Sequence, residues 1–350
     1  MNYKQITIIL FSSLVIASCG GGGGGGSSSA ASPVASAAPT YSYDRIDSDY
    51  TNQAWDAGTQ MRRSASSGAP LAFGGYGDYP LTIAITEGSS YFDISITGDL
   101  NASSSTDASL NLDFRLDSTT LVEPLINSDG VEISALFQQT FRNANLYGFV
   151  FLPEGLNSVT NIKYTNVGFL DFYFNDGERD TFAFNYGSKT DSGDMPTSGT
   201  AVYNLETFMM LQAFRANDSN LNIVSEGDGN LNANFSTGSI DGSLTFRKYY
   251  EYLDFLNSGA NSTTQLLDVD TLAVTFSGGS LNTNNFSGNA SIDDGDGFVG
   301  SGVFQGSFFG NNANETSGTF LVSKDLDSDT SGTDYWDMEG VFLGCKNSGC

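Results

Sequence analysis

The residues whose types and spacing are best suited to hold a cation are the carboxylates of Asp293-Asp294-Gly295-Asp296-Gly297. Aspartates two residues apart in a glycine-rich run are typical of a calcium loop. Such a loop also needs a glutamate at its twelfth position, which is Phe304 when Asp293 is the first. We therefore interpret the run as an acidic hairpin turn, with calcium binding as the minor alternative, and predict no metal site.

The chain has no histidine. This excludes Ser-His-Asp and Cys-His catalysis, zinc sites that use histidine, and haem held by a histidine ligand. Hydrolysis by two carboxylates is the remaining enzymatic alternative, but the acidic residues are scattered and no spacing pairs them. We predict no catalytic residue, no enzymatic activity and no bound cofactor.

Cys19 follows an apolar run from Ile6 to Ile16 that is too short to span a membrane as a helix. The end of this run, Ile16-Ala17-Ser18-Cys19, resembles a bacterial lipobox. The resemblance implies that residues 1–18 are a lipoprotein signal peptide and that Cys19 carries acyl chains such as palmitate. A Gly at position 20 favours the outer membrane as the destination. An ordinary signal peptide with a stray cysteine is the alternative.

Residues 19–40 form a predicted tether. They contain seven consecutive glycines and then serine, alanine and proline, a composition that cannot bury a core. Beyond the tether, Cys345 and Cys350 make an even pair in an exported chain. Our hypothesis is a disulfide that joins the C-terminus to the last strand.

Forty acidic and fourteen basic residues give a net charge of −26. Such a charge repels nucleic acid, so we predict no nucleic-acid partner. Aromatic residues make up 13% of the chain, which also contains 41 glycines. These values, together with alternating apolar positions, predict an all-β protein with many turns.

The stretch from Gly302 to Phe320 reads as two strands joined by a Gly/Asn turn. Its residue pattern resembles the signature "G-x-F-Y-G-P-x-A-x-E-x-G-G-x-F" of the β-barrel domain of transferrin-binding protein B and related surface lipoproteins. Phe309 replaces the usual Tyr, and Asn311 replaces the usual Pro. The residues that fall on the family spacing are Gly306, Phe308, Phe309, Gly310, Ala313, Glu315, Gly318 and Phe320.

This resemblance implies a strand-rich handle domain followed by a small antiparallel eight-stranded β-barrel. We place the handle at residues 41–195 and the barrel at 196–350, because Ser188–Ser198 is a break in composition. Further stretches similar to the family's strands lie at 199–203, 232–244, 272–276, 285–290 and 340–344. We predict that the barrel is filled by Phe235, Leu244, Phe276, Phe286, Phe304, Phe308 and Phe320.

The first half predicts strands at Leu81–Thr86, Tyr91–Thr97, Leu110–Leu116, Tyr147–Leu152, Gly168–Asn175 and Thr181–Tyr186. Apolar residues near helical spacing predict a short helix over Val131–Arg142. The spacing of Tyr50, Ala54, Trp55, Ala57 and Met61 predicts a loosely amphipathic helix within residues 41–67.

Two aromatic groups are candidate ligand contacts. Phe73–Pro80 is a predicted loop whose Tyr76 and Tyr79 either fold back on the sheet or contact a partner. Arg247–Tyr252 is the only basic-aromatic cluster, and it either caps the barrel or forms a contact patch. The candidate contacts in this cluster are Lys248, Tyr249 and Tyr250.

The resemblance implies a lipid-anchored, surface-exposed outer-membrane protein that binds a host or environmental protein, or haem, for iron acquisition. It also implies a TonB-dependent receptor and a Slam-type translocon as partners. Without histidine, haem would have to be held by Tyr, Met or Cys, or by stacking alone. The alternative is a structural, adhesive or immune-evasion lipoprotein with no role in iron uptake.

Overall fold

A computed structural model describes the chain. The described residues are 39–46, 53–64, 70–74, 81–88, 91–99, 109–116, 121–126, 132–141, 144–151, 162–174, 179–214, 221–251, 272–293, 299–325 and 335–346. Residues Tyr41–Cys350 form one compact unit, separate from Met1–Thr40. Within the described ranges, no helix is long and apolar enough to cross a membrane.

Among the described residues, ten strands precede residue 188. They are β1 (Gln53–Ser64), β2 (Pro70–Gly74), β3 (Leu81–Gly88), β4 (Tyr91–Asp99), β5 (Ser109–Leu116), β6 (Leu121–Ile126), β7 (Glu132–Phe141), β8 (Ala144–Phe151), β9 (Thr165–Phe174) and β10 (Arg179–Gly187). They form one sheet in the order β5-β4-β3-β1-β10-β9-β8-β7-β6, and β2 also pairs with β1.

The two edge strands of this sheet, β5 and β6, are consecutive in sequence. β5 ends at Leu116 and β6 begins at Leu121, so their Cα atoms are at most about 19 Å apart. Nine strands spaced at about 4.8 Å would separate the edges of a flat sheet by roughly 38 Å. The sheet must therefore curl back on itself.

Eight strands follow and close an antiparallel barrel in sequence order. They are β11 (Thr200–Phe214), β12 (Leu221–Asn234), β13 (Ser239–Glu251), β14 (Leu272–Asn282), β15 (Asn285–Asp293), β16 (Val299–Phe309), β17 (Glu315–Asp325) and β18 (Tyr335–Lys346). The predicted all-β class and the eight-stranded barrel are confirmed.

The barrel has two unlike ends. At one end, which we call the short-turn end, the strands are joined by residues 235–238, 283–284 and 310–314. At the other, the long-connection end, they are joined by residues 215–220, 252–271, 294–298 and 326–334. The sheet packs on the outside of the barrel, where β9 and β10 contact β17 and β18.

Side chains fill the barrel interior. All seven predicted core residues lie in the buried cluster, together with Tyr203, Met338 and Phe342 among others. The rings of Phe276 and Phe304 stack at 4.4 Å between centroids. Dispersion contacts of this kind, together with burial of the rings, stabilise the closed barrel.

The phenylalanines face glycines across the strands. The described barrel register places Phe opposite Gly in six pairs, namely Phe246–Gly227, Phe276–Gly242, Phe286–Gly306, Phe304–Gly288, Phe320–Gly340 and Phe342–Gly318. A Cβ at position 340 would lie 2.1 Å from Phe320 Cε1, and one at 318 would lie 2.5 Å from Phe342 Cζ. At positions 227, 288, 306, 318 and 340 the glycine thus leaves the space that a neighbouring ring occupies.

Three predictions for the first half were wrong. Val131–Arg142 is not a helix: β7 pairs with β6 and β8, and this ladder outweighs a weak helical spacing. Trp55, Ala57 and Met61 lie in β1, because intervals of two and four residues also suit one face of a strand. Phe73 and Gly74 belong to β2 rather than to a loop.

The six strands predicted in the first half are present as β3, β4, β5, β8, β9 and β10. Sequence reasoning missed β6, which contains Pro124. An edge position makes this proline tolerable, because an edge strand does not use every N–H in the ladder.

Candidate functional site

The signature turn between β16 and β17 lies at the short-turn end of the barrel. Gly310 has φ 69°, a left-handed conformation that glycine adopts without strain. A Cβ at this position would lie 2.3 Å from Tyr164 Cδ2. Glycine therefore allows the ring of Tyr164, the residue before β9, to lie directly against the turn.

Asn312 and Ala313, the next residues of the turn, are hydrogen-bonded to the segment before β11 and to the barrel. The backbone N–H of Asn312 donates to Asp194 Oδ2 at 2.9 Å. The hydroxyl of Tyr203, which lies inside the barrel, donates to the carbonyl of Ala313 at 2.6 Å. Burial raises the pKa of Tyr203, so this hydroxyl keeps its proton and stays a donor.

Glu315, the first residue of β17, fastens the chain before β9 to the barrel. Its side chain is 1% exposed. The N–H groups of Lys163 and Tyr164 donate to Oε1 and Oε2 at 2.8 and 2.7 Å. Burial raises the pKa of Glu315 to about 7, although these hydrogen bonds oppose the rise.

Lys163 and Tyr164 are bound from further sides. The N–H of Ile46 donates to the carbonyl of Lys163 at 2.6 Å, and that of Ser188 donates to the carbonyl of Tyr164 at 2.8 Å. Ile46 is fully buried. Three separate parts of the chain therefore meet at these two residues: the segment after the predicted tether, the segment between sheet and barrel, and the signature turn.

Ser317 continues this contact along β17. Its hydroxyl is hydrogen-bonded to the Thr165 hydroxyl. The side-chain amide of Asn185 donates to the Ser317 carbonyl at 3.1 Å and to its hydroxyl at 3.2 Å. All three residues are buried, so a buried network of hydrogen bonds joins the sheet to the barrel here.

Tyr43 holds the segment that follows the predicted tether. Its hydroxyl donates to Asp194 Oδ2 at 2.8 Å and accepts the N–H of Asp191 at 3.0 Å. Burial, together with Asp194, raises the pKa of Tyr43 to about 12. Because Asp194 also binds Asn312, one carboxylate joins this segment to the signature turn.

A second group of carboxylates lies on β11 and β12. Glu206 stands opposite Asp228 in the register, and Glu226 is opposite the nearby Phe208. Burial, followed by repulsion from Glu226 and Asp228, raises the pKa of Glu206 to about 7. Among the described residues, no group of three or more His, Cys, Asp or Glu side chains could hold a metal ion.

The structure describes some of the contact residues that the sequence predicted and not others. Lys248, Tyr249 and Tyr250 lie in β13, in register with Glu226, Ser225 and Val224. β13 ends one residue later, at Glu251, on the long-connection end. Tyr76 and Tyr79 lie outside the described residues, as do 294–298 of the acidic run.

Cys345 is 5% exposed and disulfide-bonded. The hypothesis that Cys350 is its partner stays a prediction, because residue 350 lies outside the described ranges, as does Cys19. Sequence reasoning missed Tyr43, Tyr164 and Asp194. Their contacts join residues about 120 to 150 positions apart in the sequence. A pattern within a short stretch of sequence cannot indicate such a contact.

Comparison with known proteins now bears on this arrangement. Residues 195–346 match the family described as the C-lobe and N-lobe beta barrels of Tf-binding protein B. The barrel is therefore similar to those of transferrin-binding protein B, and the signature turn, Glu315 and the Phe–Gly pairs lie within the matched residues.

Three solved structures illustrate what the chain is similar to. The transferrin-binding protein B of Haemophilus parasuis Hp5 is 12% identical, with 85% of this chain and 76% of that chain covered and a TM-score of 0.36. That of serogroup B Neisseria meningitidis is 14% identical, with 76% and 52% covered and a TM-score of 0.34. A protein described as a surface lipoprotein is 12% identical, with 83% and 98% covered and a TM-score of 0.37. No curated protein matches the chain.

Proposed function

We propose that the chain is a non-enzymatic lipoprotein of the outer membrane, anchored through acylated Cys19 and exposed on the cell surface. It captures a host or environmental protein, or haem, for iron acquisition. The match of residues 195–346 to the transferrin-binding protein B barrels is the observation that carries this proposal. The apolar run before Cys19 and the Gly/Ser-rich residues after it support the anchor.

The packed barrel favours a macromolecular ligand over a small one. Phe276, Phe304 and Phe320 occupy the interior and are at most 1% exposed, so the described barrel differs from one that encloses a ligand. Binding must then use outer surfaces and strand ends. Surfaces of this kind suit a protein partner, which makes many shallow contacts.

Lys248, Tyr249 and Tyr250 are the candidate contacts on the barrel. They lie near the end of β13, and a 20-residue connection, 252–271, follows it. Tyrosine and a nearby cation are the residue types that anchor protein interfaces. Tyr76 and Tyr79 are the corresponding candidates in the first half.

Binding is tested with the purified chain from Gly20 onward. It is titrated with iron-loaded and iron-free transferrin, with haemoglobin and with haem. We expect micromolar or tighter binding of one of them, weakened by Lys248→Gln and by Tyr249→Ala. Lys189→Gln at the short-turn end is the control and should bind normally. If none of these ligands binds at micromolar concentration, iron capture is wrong and the structural or adhesive role is favoured.

The anchor is tested in cells that express the full chain. We expect incorporation of labelled palmitate, fractionation with the outer membrane and digestion by protease added to intact cells. Cys19→Ala should abolish the label. Surface exposure should require a Slam-type translocon, and uptake of iron should require a TonB-dependent receptor. Labelling that persists in the Cys19→Ala chain would contradict the assignment of this residue.

A further inference from the structure

The residues that follow the predicted tether are bound at one end of the barrel. Tyr43 reaches Asp194, and Asp194 reaches Asn312 in the signature turn. Ile46 is bonded to Lys163, which Glu315 holds against the first residue of β17. The chain therefore enters the compact unit at the short-turn end of the barrel.

The last described residue lies at the same end. The N–H of Lys346 donates to the carbonyl of Asn314 at 2.9 Å, and its ammonium lies 5.6 Å from the centre of the Phe235 ring. The segment at Tyr43 and Ile46 and the last described residue, Lys346, are thus both fastened beside the short turns. The opposite end carries the four longer connections.

The two ends also differ in charge. The short turns 235–238, 283–284 and 310–314 contain no charged residue. The longer connections contain one basic residue, Arg215, and nine aspartates. These are Asp218, Asp254, Asp268, Asp270, Asp294, Asp296, Asp327, Asp329 and Asp334. An anionic lipid surface repels such an end within about a Debye length, which is roughly 10 Å at 0.1 M salt.

We propose that the anchored protein stands with the short-turn end of the barrel toward the membrane and the long-connection end away from it. This orientation rests on the proposed function, because it needs an anchor at the N-terminal end of the tether. It makes the end where β13 finishes, with Lys248 and Tyr250 beside it, the outward surface. It also places the fastened network around Glu315 and Tyr43 on the membrane side.

The lengths involved make the orientation measurable. A flexible tether of 22 residues has an r.m.s. length of roughly 25 Å. β14 has 11 residues, which span about 35 Å along the strand and about 25–30 Å along a tilted barrel axis. The outward end therefore lies about twice as far from the anchor as the short-turn end.

The test uses energy transfer to acceptor lipids in vesicles. The chain from Gly20 onward carries an N-terminal hexahistidine tag, its only histidines, and binds vesicles of nickel-chelating lipid. A donor is attached to Asn282→Cys or to Ala273→Cys. Both residues are exposed and lie on β14, Asn282 at the short-turn end and Ala273 at the other. The parent chain, treated identically, reports any labelling of Cys345 or Cys350.

We expect transfer roughly twofold or more stronger from position 282 than from position 273, given their separation along the strand. The difference should increase when anionic lipid is added at low salt and decrease at high salt. Equal transfer, or stronger transfer from position 273, would overturn the orientation. The synthetic anchor keeps this result separate from the proposed function: an unacylated Cys19 or the absence of any ligand would refute that function without altering the transfer ratio.

Discussion

Glu315 uses both carboxylate oxygens to accept backbone N–H groups while almost wholly buried. Burial raises its pKa to about 7 in the folded chain, above the value of about 4.3 for an exposed glutamate. A raised acid pKa means that the folded state binds the proton more tightly than the unfolded state. Stability from this group is therefore greatest below pH 4.5 and is lost as the pH rises to about 7.

The predicted consequence is a pH-dependent difference between the wild type and Glu315→Gln. The free energy of unfolding of the wild type, relative to the variant, should fall by on the order of 2–3 kcal/mol between pH 4.5 and 7 and then level off. Urea unfolding at several pH values measures it. Glu206 titrates in the same range but is present in both chains, so it cancels. A difference that grows with pH would contradict the assignment.

Gly310 provides a second prediction at the residue scale. Gly310→Ala should destabilise the chain by about 2–4 kcal/mol, because it adds a steric clash with Tyr164 to the strain of positive φ. Gly199→Ala is the matched control, since Gly199 also has positive φ but a Cβ there meets no atom within 4 Å. It should cost about 1 kcal/mol. Equal losses of thermal stability in the two variants would show that a clash with Tyr164 adds nothing to the cost of Gly310→Ala.

At the scale of elements, neighbouring barrel strands fit together through Phe–Gly pairs, in which the ring on one strand fills the space beside the glycine on the next. Gly340→Ala on β18 would place a methyl group 2.1 Å from the Phe320 ring on β17. We expect a loss of about 2–4 kcal/mol, as for overpacking of a core combined with strand displacement. Phe320→Leu in the same chain should restore part of the loss, because a smaller side chain leaves room for the methyl group. A double-mutant cycle in urea measures this coupling, and additive losses would contradict it.

At the scale of the whole molecule, sheet and barrel share one buried interface through Ser317, Asn185 and Glu315. We therefore predict that they unfold together. The chain has two tryptophans, Trp55 in the sheet and Trp336 in the barrel. Single-tryptophan variants, Trp336→Phe and Trp55→Phe, should show fluorescence transitions at the same urea concentration. Two separate midpoints would show that the halves are independent folding units.

The sequence by itself determined the all-β class, the barrel and its core. Leu272, Val274 and Phe276 recur at every second position of β14, and alternation of period two is a local property that needs no knowledge of distant residues. The family spacing from Gly306 to Phe320 also fixed the hairpin β16–β17. Local patterns failed for β7, because its apolar spacing suits either a helix or a strand and only pairing with β6 and β8 decides between them.

Only the tertiary structure decided what the signature residues do. Gly310 and Glu315 are five positions apart in one turn, yet both act on Tyr164, about 150 residues earlier. Tyr43 and Asp194 become neighbours in the same way. Such contacts depend on how a curled sheet packs against a closed barrel, and this packing is set by the summed burial of many side chains. The sequence therefore showed which family the barrel resembles, and the fold showed which end of the barrel is fastened.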